Sequence, residues 1–411
     1  MQISNQIQVA FYSSDSEISL PVHLSETPIL IPSTAAKHDL VVLLLSLLEK
    51  PDLALNLFIV NQNNQRDPLN AAAEEFPFEK GSLQQNIEKA LAFFSSEAAL
   101  YSSESIYRIR YCKPAPPLSI STETSMPDWI SCICRIRQNE ALVGCYDSIL
   151  RQFSNSTSTL SPKSKPSSFP IKSIALSTDS NTYAFGCMNG KIHFGVFNDV
   201  ELCAADTIIT AHKSTVSGLC FVNNSIVSSG WDGALSLWNP QTNSCSATLQ
   251  AHSSAKISGI CASTSGIISV ALDHRIKEWS IDGLLEKCSI PQSHISNCLD
   301  FSMISNLLLT GDTDSSIRGW DFRLNNHTSQ SQFTLKGHSK WINCVKISPW
   351  NANMVVSSAS DCSVRMWDLR HCSVPLSKLK FDSKILAVEW MNEDESSVLC
   401  GGENNTLSIL R

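Results

Sequence analysis

The sequence predicts a mainly β protein, a ring of seven four-stranded sheets behind a smaller domain of mixed strands and helices. Three observations predict it. Four copies of one residue pattern recur at a near-constant period in the C-terminal part of the chain, and three weaker copies fit the same frame. The first quarter has a different texture and carries most of the net charge. The chain has 411 residues, which at roughly 150 residues per domain suggests two or three domains. Only 17% of residues are charged and the net charge is −7, against a protein whose whole surface grips nucleic acid. The 15 cysteines all lie at or after Cys112 with no Cys-x-x-Cys pair, which fits a reducing compartment better than a disulfide framework or a zinc module.

Residues 1–112 hold 7 Lys+Arg and 13 Asp+Glu, a net −6. The start has neither a basic nor an apolar region, so no secretory signal is read. No Lys/Arg-rich import cluster is present. IQVAFYS (7–13) alternates like a strand, with ISLPVHL (18–24) as its hairpin partner. HDLVVLLLSLLEK (38–50) has helical length and an acceptable Asp cap, Asp39. Its apolar run, 40–48, is far short of the roughly 20 residues a spanning helix needs, so no membrane contact is expected. LNLFIV (55–60) is a third strand, SLQQNIEKALAFF (82–94) a second helix, and SIYRIRY (105–111) a last strand. The order β-β-α-β-α-β suggests a β-grasp, with 61–81 as a surface insertion.

Residues 113–127 read as a linker, and the propeller occupies 128–411. Its strong copies place Asp six residues before Trp: Asp232 and Trp238, Asp273 and Trp279, Asp314 and Trp320, Asp361 and Trp367. Four residues before each Asp stands a hydroxyl: Ser228, Ser269, Thr310 and Ser357. Upstream lie His212, His252, His294 and His338. The weaker copies pair Asp147 with Phe153, Asn189 with Gly195 and Asn404 with Leu410. The period resembles that of WD-repeat propellers, about 40–45 residues with a Gly-His start and a Trp-Asp end.

His, Ser and Asp together raise nucleophilic catalysis. Four near-identical copies argue against it. The family resemblance implies instead one hydrogen-bonded string per blade, from loop His to strand hydroxyl, turn Asp and indole N–H. Blades one, two and seven hold Val143, Phe185 and Cys400 in the hydroxyl position, so apolar packing is expected there. The chain stops after the third strand of blade seven, and PLSIST (117–122) is the natural donor of a fourth. Cys220, Cys261, Cys298 and Cys344 fall on first strands and read as small core residues. The chain shows no phosphate loop, His-Glu-x-x-His or Gly-x-Ser-x-Gly, so neither enzyme activity, cofactor, intrinsic metal nor small-molecule substrate is expected. Residues 154–168 read as a solvated polar loop.

A β-grasp followed by seven WD repeats, joined by a Pro-rich segment ending in Pro-Asp-Trp (127–129), resembles the WD-repeat protein twelve family, related to Notchless. The resemblance implies a non-enzymatic factor in large-ribosomal-subunit assembly and rRNA maturation, in nucleolus and nucleoplasm. It implies a propeller partnered by block-of-proliferation and pescadillo proteins on the pre-ribosome. It also implies a ubiquitin-like domain that docks on midasin, an AAA ATPase, through a loop Glu completing midasin's magnesium. Ser103-Glu104 with Tyr111 seven residues on matches the family spacing, and Glu97 is the runner-up. A hard divalent cation with an open position takes such a carboxylate. The alternative is a generic WD-repeat adaptor such as a ubiquitin-ligase substrate receptor. On the propeller, the residue before each turn Asp lies near one face, and Tyr146, Trp231 and the loop residue Trp341 are the candidate contacts.

Overall fold

The computed structural model describes residues 6–12, 28–48, 56–60, 75–77, 83, 85–87, 106–112, 118–155, 159–162, 169–177, 182–198, 201–202, 207–223, 225–240, 242, 244–321, 331–371, 375–393 and 397–411. Two compact units are present, one built around Met1–Pro116 and one around Pro117–Met366 with Ser377–Arg411.

The first unit contains β1 (Gln6–Tyr12), β2 (Ile29–Pro32), α1 (Lys37–Leu47), β3 (Asn56–Val60), β4 (Glu75–Pro77) and β5 (Ile106–Cys112). The sheet order is β2-β1-β5-β3-β4, with β1 parallel to β5, the β-grasp arrangement. Alternation along β1 buries Ile7, Val9 and Phe11, and one side of α1 buries Leu40 and Leu44. Three expectations change. The partner of β1 is Ile29–Pro32, and residues 18–24 lie outside those described. The stretch 61–81 is not wholly an insertion, because Glu75–Pro77 adds an edge strand to β3. Asp39 is not the cap of α1. Ala36 is, and Asp39, three residues in, accepts the Ala36 N–H at 2.8 Å. No helix among the described residues is long and apolar enough to cross a membrane.

The second unit is the seven-bladed propeller the repeat predicts. Its inner strands are Ile130–Arg137, Ile171–Leu176, Val216–Val222, Ile257–Ala262, Ser296–Ser302, Ile342–Ile347 and Ile385–Trp390. Each is bulged after its first residue, and Ser131, Ser258, Asn297 and Asn343 at the bulge donate to the first carbonyl of the next blade's inner strand. These bonds stitch blade to blade. Blade seven takes its outer strand from Ile120–Ser125, antiparallel to Thr406–Leu410, and Ser119 and Arg411 exchange both backbone bonds. No edge is then left where the chain begins and ends its ring.

Every blade turns on an Asp or Asn. The side chains of Asp147, Asn189, Asp232, Asp273, Asp314, Asp361 and Asn404 each accept the backbone N–H two residues on, at 3.1–3.4 Å. The residue between is always left-handed, from Ser148 to Asn405, and glycine only at Gly190 and Gly233. Val143, Phe185 and Cys400 are fully buried, so apolar packing replaces the hydroxyl as expected. In blade two the missing Trp is made good from across the sheet: Tyr183 lies opposite Gly195, where a Cβ would meet its ring at 2.2 Å. The four first-strand cysteines occupy two positions rather than one. Cys220 and Cys261 stand fifth from the strand start, Cys298 and Cys344 third. Burial pushes all four thiols up, Cys220 to about 12, so they stay protonated.

Candidate functional site

The hydrogen-bonded sets come first, because they decide what the His and Ser residues can do. In blade three His212 meets Asp232 through Nδ1 at 3.1 Å and Ser228 Oγ through Nε2 at 2.8 Å, and Trp238 donates to the same hydroxyl at 2.9 Å. In blade four His252 meets Asp273 and Ser269 at 2.7 Å each, and Trp279 donates to Ser269 at 2.8 Å. In blade six His338 meets Asp361 at 3.0 Å and Ser357 at 2.9 Å, beside the fully buried Trp367.

Burial pushes the three imidazoles down, His338 to about 4, despite the neighbouring carboxylates. Burial alone would raise the Asp232 carboxyl, but the Lys213 N–H, the His212 ring and the Ala234 N–H hold it below its ordinary range. Each set is therefore a neutral imidazole between a carboxylate and a hydroxyl. Ser228, Ser269 and Ser357 are fully buried, and the first two also receive an indole N–H. A substrate cannot reach these oxygens, and the sets serve as fasteners.

Blade five departs from the expectation. His294 does not join its string. Its side chain is 42% exposed and only its Nε2 approaches Asp314, at 3.4 Å. His212 and His338 stand four residues before their inner strands and His252 five, whereas His294 stands two before Ser296. Gln292 occupies the histidine position, since its N–H bonds the His274 carbonyl as those of His212 and His252 bond Gly190 and Gly233. Trp320 still donates to Thr310, at 3.1 Å. Asp314 is held instead by Arg318, at 2.6 and 3.1 Å, and the same guanidinium bonds Asp312. Blade one does likewise, Arg151 forking onto Asp147. Both blades have an Arg four residues after the turn Asp, but so does blade six, where Arg365 stands 3.8 Å from Asp361 beside an intact histidine set, so that spacing alone does not mark the exchange.

The rim carries the candidate binding residues. In each blade the residue before the turn Asp or Asn donates its N–H to the residue before the inner strand, at 2.9–3.0 Å. Tyr146 pairs so with Trp129, Trp231 with Thr215, Leu272 with Lys256, Ser360 with Trp341. The three predicted face residues thus share one end of the propeller. They are not equivalent. Trp341 is 61% exposed. Trp231 is half-buried, with Lys256 Nζ 4.7 Å from its ring centre. Tyr146 packs against Trp129, a residue the sequence reading passed over although Asp-Trp-Ile repeats the Lys-Trp-Ile context of Trp341. Away from this rim, Lys346 lies 3.5 Å from Asp300 and 3.6 Å from Glu389 beside a cavity of about 260 Å³. Asp300 and Glu389 hold the Lys346 ammonium well above its ordinary value despite burial. Glu104 and Glu97 lie outside the described residues, and Tyr111 sits on β5 opposite Leu57.

The WD domain, G-beta repeat pattern matches residues 205–239, 287–321 and 329–368. The solved WD40 β-propeller domain of Doa1 superposes with a TM-score of 0.62 at 17% identity, covering 72% of this chain and 97% of that one. The chain is 23% identical to "Ribosome biogenesis protein WDR12 homolog" of Nematostella vectensis, over 98% of this chain and 99% of that one. It is 23% identical to "Ribosome biogenesis protein YTM1" of Scheffersomyces stipitis, over 98% and 97%. These relatives are proteins of the WD-repeat protein twelve kind, and the chain resembles them over nearly its whole length. Similarity to this family is end to end, and "Ribosome biogenesis protein WDR12 homolog" of Arabidopsis thaliana aligns over 99% of this chain at 23% identity.

Proposed function

We propose that the chain is a non-catalytic ribosome-biogenesis factor for the large ribosomal subunit, working in nucleolus and nucleoplasm. The observation that carries this reading is the end-to-end similarity to proteins named for ribosome biogenesis, in both WDR12 and YTM1 forms. In this reading residues 1–112 are the ubiquitin-like module, 113–127 the linker and closing strand, and 128–411 the anchoring propeller. The propeller joins a block-of-proliferation-type propeller protein and a pescadillo-type protein on the pre-ribosomal particle. The sealed hydroxyls and the exposed aromatic rim support a binding role for the propeller over a chemical one. Trp341, Trp231 and Tyr146 then belong to the partner-binding face.

The ubiquitin-like module docks on the midasin ATPase, with Glu104 supplying a carboxylate oxygen to midasin's magnesium and Glu97 as the alternative. The acidic balance of residues 1–112 would steer that encounter toward a metal-bearing surface. Affinity purification with mass spectrometry tests the whole reading. Pescadillo-type and midasin-type partners and co-sedimentation with large-subunit precursors are expected; a cullin scaffold in their place defeats it. Pull-down of the midasin adhesion domain with magnesium separates the two glutamates. Glu104→Ala should abolish capture and Glu97→Ala should not.

A further inference from the structure

The rim of blade one holds an aromatic corner that no hydrogen-bonded set uses. Trp129 and Tyr146 meet edge to face, centroids 5.6 Å apart and planes 68° to one another. Trp129 is 42% exposed, and among the described residues no cation covers it, whereas Trp231 on the same rim already carries Lys256. Two carboxylates attend the corner. Asp128 precedes Trp129 and accepts its N–H at 2.8 Å. Glu403, the rim residue before the blade-seven turn Asn404, meets the half-exposed Lys384 at 3.1 Å. Burial first, then nearby negative charge that includes Glu403 and Asp128, pushes the Tyr146 phenol up. Asp128 and Glu403 against Lys384 leave one negative charge in excess beside an open indole.

We propose that this corner binds an arginine side chain presented by a loop of a partner protein. A guanidinium is planar and weakly hydrated, so it stacks on an indole face and forks onto a carboxylate at once. An ammonium is more strongly hydrated and lacks the planar fork, so it fits the pair of groups less well, and the phosphates of RNA are repelled by the same carboxylates. Lys256 over Trp231 at 4.7 Å and Arg135 over Trp350 at 4.4 Å show the chain making this contact within itself. The inference rests on reading the rim as the partner-binding face and names the chemistry of one anchor there.

The test uses the full chain labelled with ¹⁵N at its indoles, titrated with N-acetyl-arginine amide and, in parallel, its neutral citrulline counterpart. The Trp129 resonance is identified by its loss in Trp129→Phe. A saturating shift of that resonance with arginine is expected, at least fivefold weaker with citrulline and at least threefold weaker in Glu403→Gln. Equal response to citrulline, or a still Trp129 resonance, overturns the proposal. Capture of the block-of-proliferation-type partner tells the two readings apart. Capture lost in Trp341→Ala with an unresponsive Trp129 defeats the arginine corner and keeps the rim. Capture retained in both Trp341→Ala and Trp129→Ala defeats the rim reading itself.

Discussion

Blades four and five share one frame and hold their turn aspartates by different means. In blade four a neutral, buried imidazole links Asp273 to Ser269 and Trp279. In blade five the imidazole stands aside and a guanidinium grips Asp314 and the deeper Asp312, which is 1% exposed and also takes the Ser296 hydroxyl at 2.7 Å. The bond of the turn Asp or Asn to the N–H two residues on is local and present in all seven blades. The second anchor varies from blade to blade. What physics demands is that a buried carboxylate be partnered; which cation or donor does so is negotiable.

The comparison breaks most visibly at Arg318. Arg318→Leu strands Asp312 and Asp314 together and should cost about 3–5 kcal/mol, the usual penalty for leaving a buried charge unpaired. A urea midpoint shifted by less than about 1 kcal/mol would show that Ser296 suffices for Asp312. In blade four Ser269→Ala orphans the His252 Nε2 and the Trp279 N–H, and about 2–4 kcal/mol should be lost by the same measurement.

Acid should separate the two anchors. The folded His338 ring titrates at about 4, against an ordinary 6.5, and His212 and His252 shift the same way. Between those values the unfolded chain binds protons that the folded one refuses, so stability is full above about pH 6.5 and falls toward pH 4. Urea midpoints at intervals across that window should slope downward, and His338→Gln should flatten the slope. The guanidinium anchors of blades one and five stay charged throughout. The smallest effect is expected at His294. His294→Ala should change stability by no more than about 0.5 kcal/mol, as for a partly exposed side chain outside the network. A loss comparable with that of His252→Ala would return His294 to the string.

Most of the propeller was legible because its signals are short-range. An Asp that caps its own turn must recur wherever the turn recurs, and the alternation of each strand needs only its neighbours. Even the weak copies kept Asp147, Asn189 and Asn404 for this reason. The first unit was read less well. Its edge strands, Ile29–Pro32 and Glu75–Pro77, have four and three residues, too few to show a period.

The binding candidates divide along the same line. Tyr146 and Trp231 could be placed near one face from their position before the turn Asp, whereas Trp341 joins that rim only through the Ser360 N–H on its carbonyl. That Lys256 already covers Trp231, and that Trp129 and Tyr146 form a corner beside Glu403, depends on residues far apart in the chain.

The sequence by itself determined the number of blades, the turn at each and the small buried residues between them, since each follows from contacts within a few positions. Only the tertiary structure decided which donor reaches each aspartate. A hydrogen bond ends within about 3 Å. The two-residue difference between Gln292 and His294 is small in an alignment, but it moves an imidazole from the core to the surface.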